Sequence, residues 1–517
     1  MIVVRCVYRA VIVQTIWIIA SGILCVLVGC GGVHSSTLSS SQSTLTPPPP
    51  PPPSPPIVVT GTKRSIRNWA TCDGVTDDAV GVAQAFAAAK NNAFILEIDC
   101  PVFMHIGMDV AKPIFVDNGT SVDFTPDGLL IVDNELIPAF VIANTNNVKL
   151  TNWNIEYVGS LPINCITGGY YFNGVWTNEY GIAPGVVFND IFLTAWMTAN
   201  RGINFAWGVR AKWAGFTDDS AIFYLTGSTS DVDVEDMNLW VPKNAGGDHY
   251  IPMAFALTPA TTNNQNVTPD TPLKMPYYAI PSNLKFSGIT IDGSYYGFQG
   301  SAQNVDISNV VSYRYGDLQD ATGSNVGGIN DWLAPPHLFY LNFDPSGDPS
   351  LFNENIVIEN VVDYGERTGL PRTTSSGNCY SLKLGEYHGS VNNYVSFRPD
   401  GFMDVLWSTD LTLSNITASY DSSFLNGTYP MIRFPASDYH ELTFQNVKMQ
   451  DTAEDASIDP IWGNGDNSNT DIRFDATNVA LNHWIGKGAP EYSPIVQGTK
   501  PYFAGTGHSF DIQITHQ

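Results

Sequence analysis

The sequence predicts an all-β fold: a single-stranded, right-handed parallel β-helix with a short amino-terminal helical cap. Composition is the first reason, since 12% of the 517 residues are aromatic and 45 are glycine, which favours strands and turns over helices. The second reason is a recurring pattern in which apolar residues alternate with polar ones, as at 148–155, 232–239 and 284–291. Period-two alternation is typical of strands.

Further copies of this pattern begin at Val305, Ile356, Leu411 and Leu442, with a weaker one at 472–474. Each copy is too short to bury its own apolar face, so the copies are expected to stack on one another. Several copies carry asparagine at their fifth place: Asn152, Asn309, Asn360, Asn415 and Asn446. Asparagine tolerates the left-handed conformation of a turn. A β-sandwich or jelly roll is the alternative, but it would need hairpin signals that are sparse here.

The first thirty residues have the pattern of an export signal. Arg5 and Arg9 precede an apolar stretch at 11–28, and Leu27-Val28-Gly29 leads to Cys30. This resembles a bacterial lipoprotein signal, which implies that Cys30 becomes the lipidated first residue of a cell-envelope protein. Gly31, rather than aspartate, follows and favours the outer membrane by the same resemblance. A retained membrane helix is the alternative.

The sequence divides into five segments by composition. Residues 1–30 form the predicted signal, and 31–56 form a Ser/Thr/Pro-rich tether that ends in an extended polyproline run. The cap segment is predicted at 57–105, the β-helix at 106–483, and a carboxy-terminal cap or tail at 484–517.

Charge and cysteine content restrict the partners. The net charge of −25 disfavours nucleic acid, whose phosphates would be repelled. No zinc-ligand spacing occurs, so no metal site is predicted, and we expect a monomer.

The predicted domain contains Cys72, Cys100, Cys165 and Cys379. Four cysteines allow three full pairings; Cys72 with Cys100 is favoured because both flank one short unit.

A motif precedes the repeats: residues 73–78 read Asp-Gly-Val-Thr-Asp-Asp, followed by an alanine-rich amphipathic stretch at 80–90 and a short strand at 94–98. This resembles the amino-terminal segment of the pectate-lyase-like superfamily, in which the motif leads into a helix that caps the β-helix. Asp77 and Asp78 are then structural, at the positive end of the helix dipole. The family's Pro-x-Gly-x-Tyr lacks its glycine here, at 101–105. The resemblance implies a carbohydrate-active or carbohydrate-binding protein.

Long insertions at 241–282, 318–353 and 366–380 separate the repeats and are expected to build the walls of a groove. Aromatic side chains in this region are candidates for stacking on sugar rings, although core packing is the alternative for each. The predicted substrate-binding residues are Trp207, Trp213, Trp240, Tyr295, Tyr296, Trp332 and Arg367.

The predicted catalytic residues are Asp218, Asp219, Asp248, His249 and Arg314. Their order is similar to that in polygalacturonase-like glycoside hydrolases. The resemblance implies that Asp218 and Asp219 are the acid/base carboxylates, His249 a supporting group and Arg314 a cation at a subsite. The family's upstream Asn-Thr-Asp and its Arg-Ile-Lys are absent.

Side-chain alternation refines this choice. If Ala221, Phe223 and Leu225 point inward, Asp218 points outward and Asp219 inward. Asp218 is therefore the leading acid/base candidate, and solvated turn aspartates are the structural alternative for the pair.

Two other functions remain open. A polysaccharide lyase would need a base, for which Arg314, Arg367, Lys383 and His388 are candidates, and would use Ca²⁺ held by acids such as Asp317, Asp363 and Glu366. A non-catalytic polysaccharide-binding scaffold would keep the repeats and the tether. No cofactor is predicted for the hydrolase.

Overall fold

A computed structural model describes the chain from residue 61 onward, with gaps. The described residues are 61–106, 113–134, 138–159, 170–172, 175–177, 204–205, 221–242, 251–258, 260–261, 278–315, 337–341, 353–367, 380–397, 401–420, 432–434, 439–451, 461–464, 471–482, 502–504 and 509–515. The predicted signal, Cys30 and the tether lie outside them. Within them, no helix is long and apolar enough to cross a membrane.

The helices and strands follow one another in this order. The helices are a 3₁₀ turn at Ile66–Asn68 and α1 (Ala79–Ala89). The strands are β1 (Lys63–Ser65), β2 (Ile95–Ile98), β3 (Pro101–Ile106), β4 (Ile114–Val116), β5 (Ser121–Phe124), β6 (Leu129–Asn134), β7 (Phe140–Ala143), β8 (Asn146–Thr151), β9 (Asn154–Tyr157), β10 (Tyr170–Phe172), β11 (Val175–Thr177), β12 (Asn204–Phe205), β13 (Ala221–Thr226), β14 (Ser230–Trp240), β15 (Ile251–Thr258), β16 (Ala260–Thr261), β17 (Tyr278–Ala279), β18 (Ser282–Asp292), β19 (Ser294–Gly300), β20 (Gln303–Tyr315), β21 (His337–Leu341), β22 (Asn353–Arg367), β23 (Leu382–Ser396), β24 (Met403–Tyr420), β25 (Ile432–Phe434), β26 (Tyr439–Asp451), β27 (Ile461–Asn464), β28 (Asp471–Asn482), β29 (Tyr502–Ala504) and β30 (Ser509–Thr515).

The chain forms a right-handed parallel β-helix, as predicted. Twenty-five strands join in one hydrogen-bonded system, and each strand pairs in parallel with its counterpart on the next coil. One face, called face A here, runs through β7, β13, β15, β19, β21 and the start of β23. The long strands β14, β18, β20 and β22 supply two further faces. Strand β14 shows this division, because its first half pairs with β8 and its second half with β9.

Left-handed residues make the bend inside each long strand. The five predicted asparagines, at 152, 309, 360, 415 and 446, all have positive φ, which confirms the interpretation of the fifth place as a turn. Asn446 Nδ2 donates along the row to Asn415 Oδ1 at 3.2 Å, whereas Asn309 and Asn415 donate to Ser287 and Asn392, which lie one residue before the row. Gly288 occupies the same row with φ +70°. A second left-handed row, which was not predicted, occupies one register position, ahead of the first bend, on several coils: Asn147, Asp231, Asn283, Asn304, Asn355 and His388.

Stacked side chains fill the interior of the coils. Five phenylalanines on face A form a continuous stack: Phe140, Phe223, Phe255, Phe298 and Phe339. Neighbouring ring centroids lie 4.8–5.3 Å apart. Because the rings repeat at the spacing of the strands, each coil continues the core of the one before it.

Strict alternation fails at the start of β13. Ile222, Phe223 and Leu225 belong to the contiguous core, whereas Ala221 is buried outside it. The prediction that Ala221 points inward with Phe223 is therefore wrong, because two successive side chains, Ile222 and Phe223, both enter the core. The inward and outward directions inferred from it for Asp219 and Asp218 lose this support.

The cap has the predicted form. Helix α1 covers 79–89, and Asp77 Oδ1 accepts hydrogen bonds from the amides of Ala79 and His105. Asp78 is buried and accepts from the amides of Thr71 (2.8 Å) and Cys72. Both acids are thus structural, as predicted.

A disulfide links Cys72 to Cys100, the pairing that the sequence favoured. Cys100 lies directly before β3, so the bond ties the motif segment to the first coils. Cys165 and Cys379 lie outside the described residues.

Candidate functional site

Most of the predicted catalytic and binding residues lie outside the described part of the chain: Asp218, Asp219, Asp248, His249, Trp207, Trp213 and Trp332. Tyr295 and Arg367 lie in β19 and β22, but their side chains are not described. The structure places the remaining candidates, which are Trp240, Tyr296 and Arg314.

Arg314 links its own coil to the two coils before it. Its Nε donates to Asp292 on β18, and its Nη2 donates to the carbonyl of Val241 at 2.7 Å. The side chain is 14% exposed. Trp240, at the end of β14, is half-buried and pairs in register with Asp292. In this structure the guanidinium therefore holds neighbouring coils together, and its role as a subsite cation stays a prediction.

A polar and aromatic cluster lies on face A, outside the contiguous core. It consists of Tyr296, His337, Tyr340 and Lys383, and we call it the face A cluster. The Tyr340 ring centroid lies 5.7 Å from that of Tyr296 and 5.3 Å from that of His337. Lys383 Nζ lies 4.7 Å from the Tyr340 centroid, a distance at which the cation and the ring attract.

Strand register builds the face A cluster. Tyr296 pairs with His337, and Tyr340 pairs with Lys383, so three successive coils each supply a side chain. His337 Nδ1 lies 2.6 Å from the carbonyl of Tyr380 on the next coil, which fixes the orientation of the imidazole. Tyr296 was predicted from the sequence, but its ring is buried here, and we do not assign it direct stacking on a sugar.

Gln299 stands beside Tyr340 in the register of face A. It is 3% exposed, and its Oε1 has no hydrogen-bond partner among the described residues. A buried amide oxygen is costly when it accepts no hydrogen bond. A hydroxyl-rich ligand on face A would supply the missing donor.

The lyase candidates occupy different places. Lys383 belongs to the face A cluster. His388 lies in the second left-handed row, with its Nδ1 3.6 Å from Asp410 Oδ2. Asp363 is fully buried and accepts from the hydroxyl of Ser381 at 2.6 Å. His388 and Asp363 are thus each engaged with another side chain, and Asp317 and the side chain of Glu366 are not described.

A row of alternating charges crosses the first halves of the long strands. Lys149, Asp233, Lys285 and Asp306 share one register position, and Glu235 lies beside them. Burial and the nearby Glu235 charge raise the pKa of Asp233. Burial alone would raise the pKa of Glu235 as well, but Lys149 (3.3 Å) and Lys285 (3.4 Å) outweigh it and lower that pKa. These acids form an ion-paired strand face.

An exposed aromatic row was missed in the sequence. Tyr313, Tyr364 and Phe397 lie on successive coils, and their rings stack in turn. They are far apart along the chain, and only the parallel register brings them together. The available signal was an aromatic residue recurring at one position after the bend of each repeat.

Neither a family model nor a curated protein matches the chain. Several solved structures are similar to it. The catalytic domain of Agl-KA is 12% identical, with a TM-score of 0.42, over 87% of this chain and 68% of that one. A polygalacturonase from Erwinia carotovora ssp. carotovora is 9% identical (TM-score 0.36; 87% and 97% covered). The A-module of the Azotobacter vinelandii mannuronan C-5 epimerase AlgE6 is 11% identical (TM-score 0.36; 87% and 99% covered). At these values the likeness carries no argument about activity, and the chain is assigned by its own strands to the parallel β-helix fold.

Proposed function

We propose that this chain is a polysaccharide-active protein of the cell envelope, and that it is a glycoside hydrolase whose substrate lies across face A. One observation carries the proposal: the face A cluster gathers the buried rings of Tyr296, His337 and Tyr340 and the partly exposed Lys383 from three successive coils, beside the buried Gln299. A few convergent polar groups among aromatic rings are typical of ligand sites.

The chemistry of hydrolysis assigns the roles. One carboxylic acid protonates the oxygen of the leaving sugar, while a second carboxylate activates water on the opposite side of the ring. Asp218 is our first choice for this acid/base work, with Asp219 and Asp248 as its partners. The segment that holds Asp218 leads directly into β13, which lies in the same face as β19, β21 and the face A cluster.

Product analysis tests the proposal. The full chain in mild detergent is incubated with neutral and acidic polysaccharides, and reducing ends are followed together with the absorbance of unsaturated uronates. We expect new reducing ends without unsaturation, and their loss in Asp218→Asn. Asp410→Asn, which changes an exposed acid outside face A, is the control and should keep activity.

A lyase is the second candidate, and Lys383 favours it. In its neutral form the Lys383 amine would be a candidate base for the C5 proton of a uronate, whose departure allows the leaving oxygen to be expelled. Unsaturated products that disappear in Lys383→Met would establish this reaction in place of hydrolysis. Binding without either product, across a broad panel, would replace both enzymes with a non-catalytic scaffold.

The lipid anchor is a separate part of the proposal. Cys30 would carry the lipid that holds the chain in the outer membrane, with the tether as a spacer. We expect Cys30→Ala to move the chain from the membrane fraction to the soluble fraction. Wild-type chain that is already soluble would exclude the anchor.

A further inference from the structure

Three aromatic rings on successive coils face the solvent, and we call them the aromatic row. Tyr313, Tyr364 and Phe397 are 41%, 43% and 47% exposed. The first two ring centroids lie 5.1 Å apart with planes inclined by 2°, and the next two lie 5.9 Å apart with an angle of 21°. Tyr364 thus has a ring neighbour on each side, and the surface that remains exposed runs along the row as a whole.

This exposure has a cost that stacking offsets only in part. Each of these side chains keeps more than a third of its surface in water, including a phenylalanine, which has no polar group to hydrate. Single exposed apolar residues need no explanation, but a contiguous row of them marks a surface that binds something.

The charges around the aromatic row favour an uncharged ligand. The described charged side chains next to it are Arg314, which is paired with Asp292, and Asp363, which is buried against Ser381. Neither offers a free charge, and the net charge of −25 repels polyanions. Among the described side chains the aromatic row therefore has no free cation beside it, and an aromatic surface of this kind suits the C–H faces of neutral sugar rings.

The aromatic row adjoins face A. The amide of Gly293, directly before β19, donates to the carbonyl of Arg314 at 3.0 Å, and Ser294 pairs with Tyr315. Tyr313 directly precedes Arg314, so it lies near Gly293 and Ser294, the residues that lead into the strand of Tyr296. A polymer that occupies face A would reach the aromatic row at the corner between the two faces.

We propose that the aromatic row is a second binding surface, outside face A, for a neutral polysaccharide chain. The choice of ligand class rests on the proposed function, whereas the surface itself rests on the exposed rings. Its role is to hold a polymer against the protein while a neighbouring stretch occupies face A.

Direct binding tests this inference without any need for turnover. The full chain in mild detergent is examined by affinity electrophoresis in gels that contain soluble neutral glucan, mannan or xylan. The variant is Tyr364→Ala, which removes the middle ring. We expect about 3- to 10-fold weaker binding to at least one polymer, the change that corresponds to losing one aromatic contact.

Two further variants separate binding from folding. Tyr364→Phe keeps the ring and should bind as the wild type does. Val357→Ala removes an exposed apolar residue on the same strand but outside the aromatic row, and should leave binding unchanged. If Tyr364→Ala lowers the melting temperature but not the affinity, or if no neutral polymer binds the wild type, the aromatic row is only a structural stack and the inference is overturned.

Other ligands of the surface give distinct results. If the rings instead contact a second copy of the chain, Tyr364→Ala would change the sedimentation of the protein and not its migration in the gels. If the rings instead contact a lipid surface, Tyr364→Ala would change the binding of the protein to phosphatidylcholine vesicles. Either result overturns the inference. Failure of the proposed function would give a different result from failure of this inference. Asp218→Asn would then leave any activity unchanged, while the aromatic row would still bind polymer.

Discussion

Asparagine carries much of the structural information at the scale of single residues. At Asn309 the backbone is left-handed with φ 56°, a conformation that costs most residues about 1–2 kcal/mol. Gly288 occupies the same row on the preceding coil, and a side chain there would meet the Asp236 carboxylate. Among the described residues the row therefore holds three residue types that tolerate this backbone: asparagine at most places, aspartate at Asp236, and glycine at Gly288, where the Asp236 carboxylate leaves no room for a side chain.

The pKa shifts of Asp233 and Glu235 lead to opposite pH dependences. Folded Asp233 holds its proton more tightly than its ordinary pKa of 3.8 implies, so ionising it weakens the fold as the pH rises above that value. We expect Asp233→Asn to raise the melting temperature at pH 7 and to change it little at pH 3. Thermal unfolding monitored by circular dichroism at both pH values measures this.

Glu235→Gln is the matched control on the same strand. The pKa of Glu235 lies below its ordinary value of 4.5, so its ionised form stabilises the fold above that pH and the contribution is lost as the pH falls. The substitution should lower the melting temperature at pH 7 and have less effect at pH 3. Melting-temperature changes of the same sign in both variants at pH 7 would contradict the opposite pKa shifts of the two acids.

At the scale of elements, the helical cap depends on two aspartates with different tasks. Asp77 receives the first helical amide and an amide of β3, whereas Asp78 turns back to the loop that contains Cys72. The motif thus fixes the helix to the first coil on one side and to the disulfide loop on the other. Neither acid is free for catalysis.

Asp78→Ala tests this arrangement. It would leave the amides of Thr71 and Cys72 without their acceptor in a partly buried place, at a cost of about 1–3 kcal/mol. We expect a lower midpoint in urea unfolding. Asp73→Ala, which removes an exposed acceptor within the same turn, should cost less, and an equal loss in both variants would argue against a special role for Asp78.

The helix and the asparagine bends were predictable because each is encoded locally, by a motif or by one place in a repeat. The face A cluster and the aromatic row were not, because their members meet only through register. Tyr313 and Tyr364 belong to different coils with a long insertion between them, and no local pattern gives the length of that insertion. Even β13 departed from strict alternation, since Ile222 and Phe223 both enter the core.

At the scale of the whole molecule, the coils depend on their neighbours. The stack from Phe140 to Phe339 passes through five coils without interruption, and a solenoid of this kind gains its stability from contacts between adjacent repeats. A defect in the middle of the stack should therefore affect the coils on both sides.

Phe255→Ala is expected to destabilise the protein by about 3–5 kcal/mol, because it removes a buried ring with ring neighbours on both adjacent coils. Hydrogen exchange should show lost protection in β13 and β19 as well as in β15. Val357→Ala on the outer surface is the control. Loss confined to β15 would contradict coupling between the coils.

The amino-terminal end of the β-helix has a consequence for solubility. A stack of parallel strands presents open hydrogen-bonding groups at its end, which invite other chains to add and form fibres. Here the apolar face of α1 is buried, with Phe86 packed against Phe140 and Trp153, and β1, the first strand of the described residues, has only three residues. A short edge strand beside a helix is a poor template, so we expect this end of the described β-helix to resist the addition of other strands.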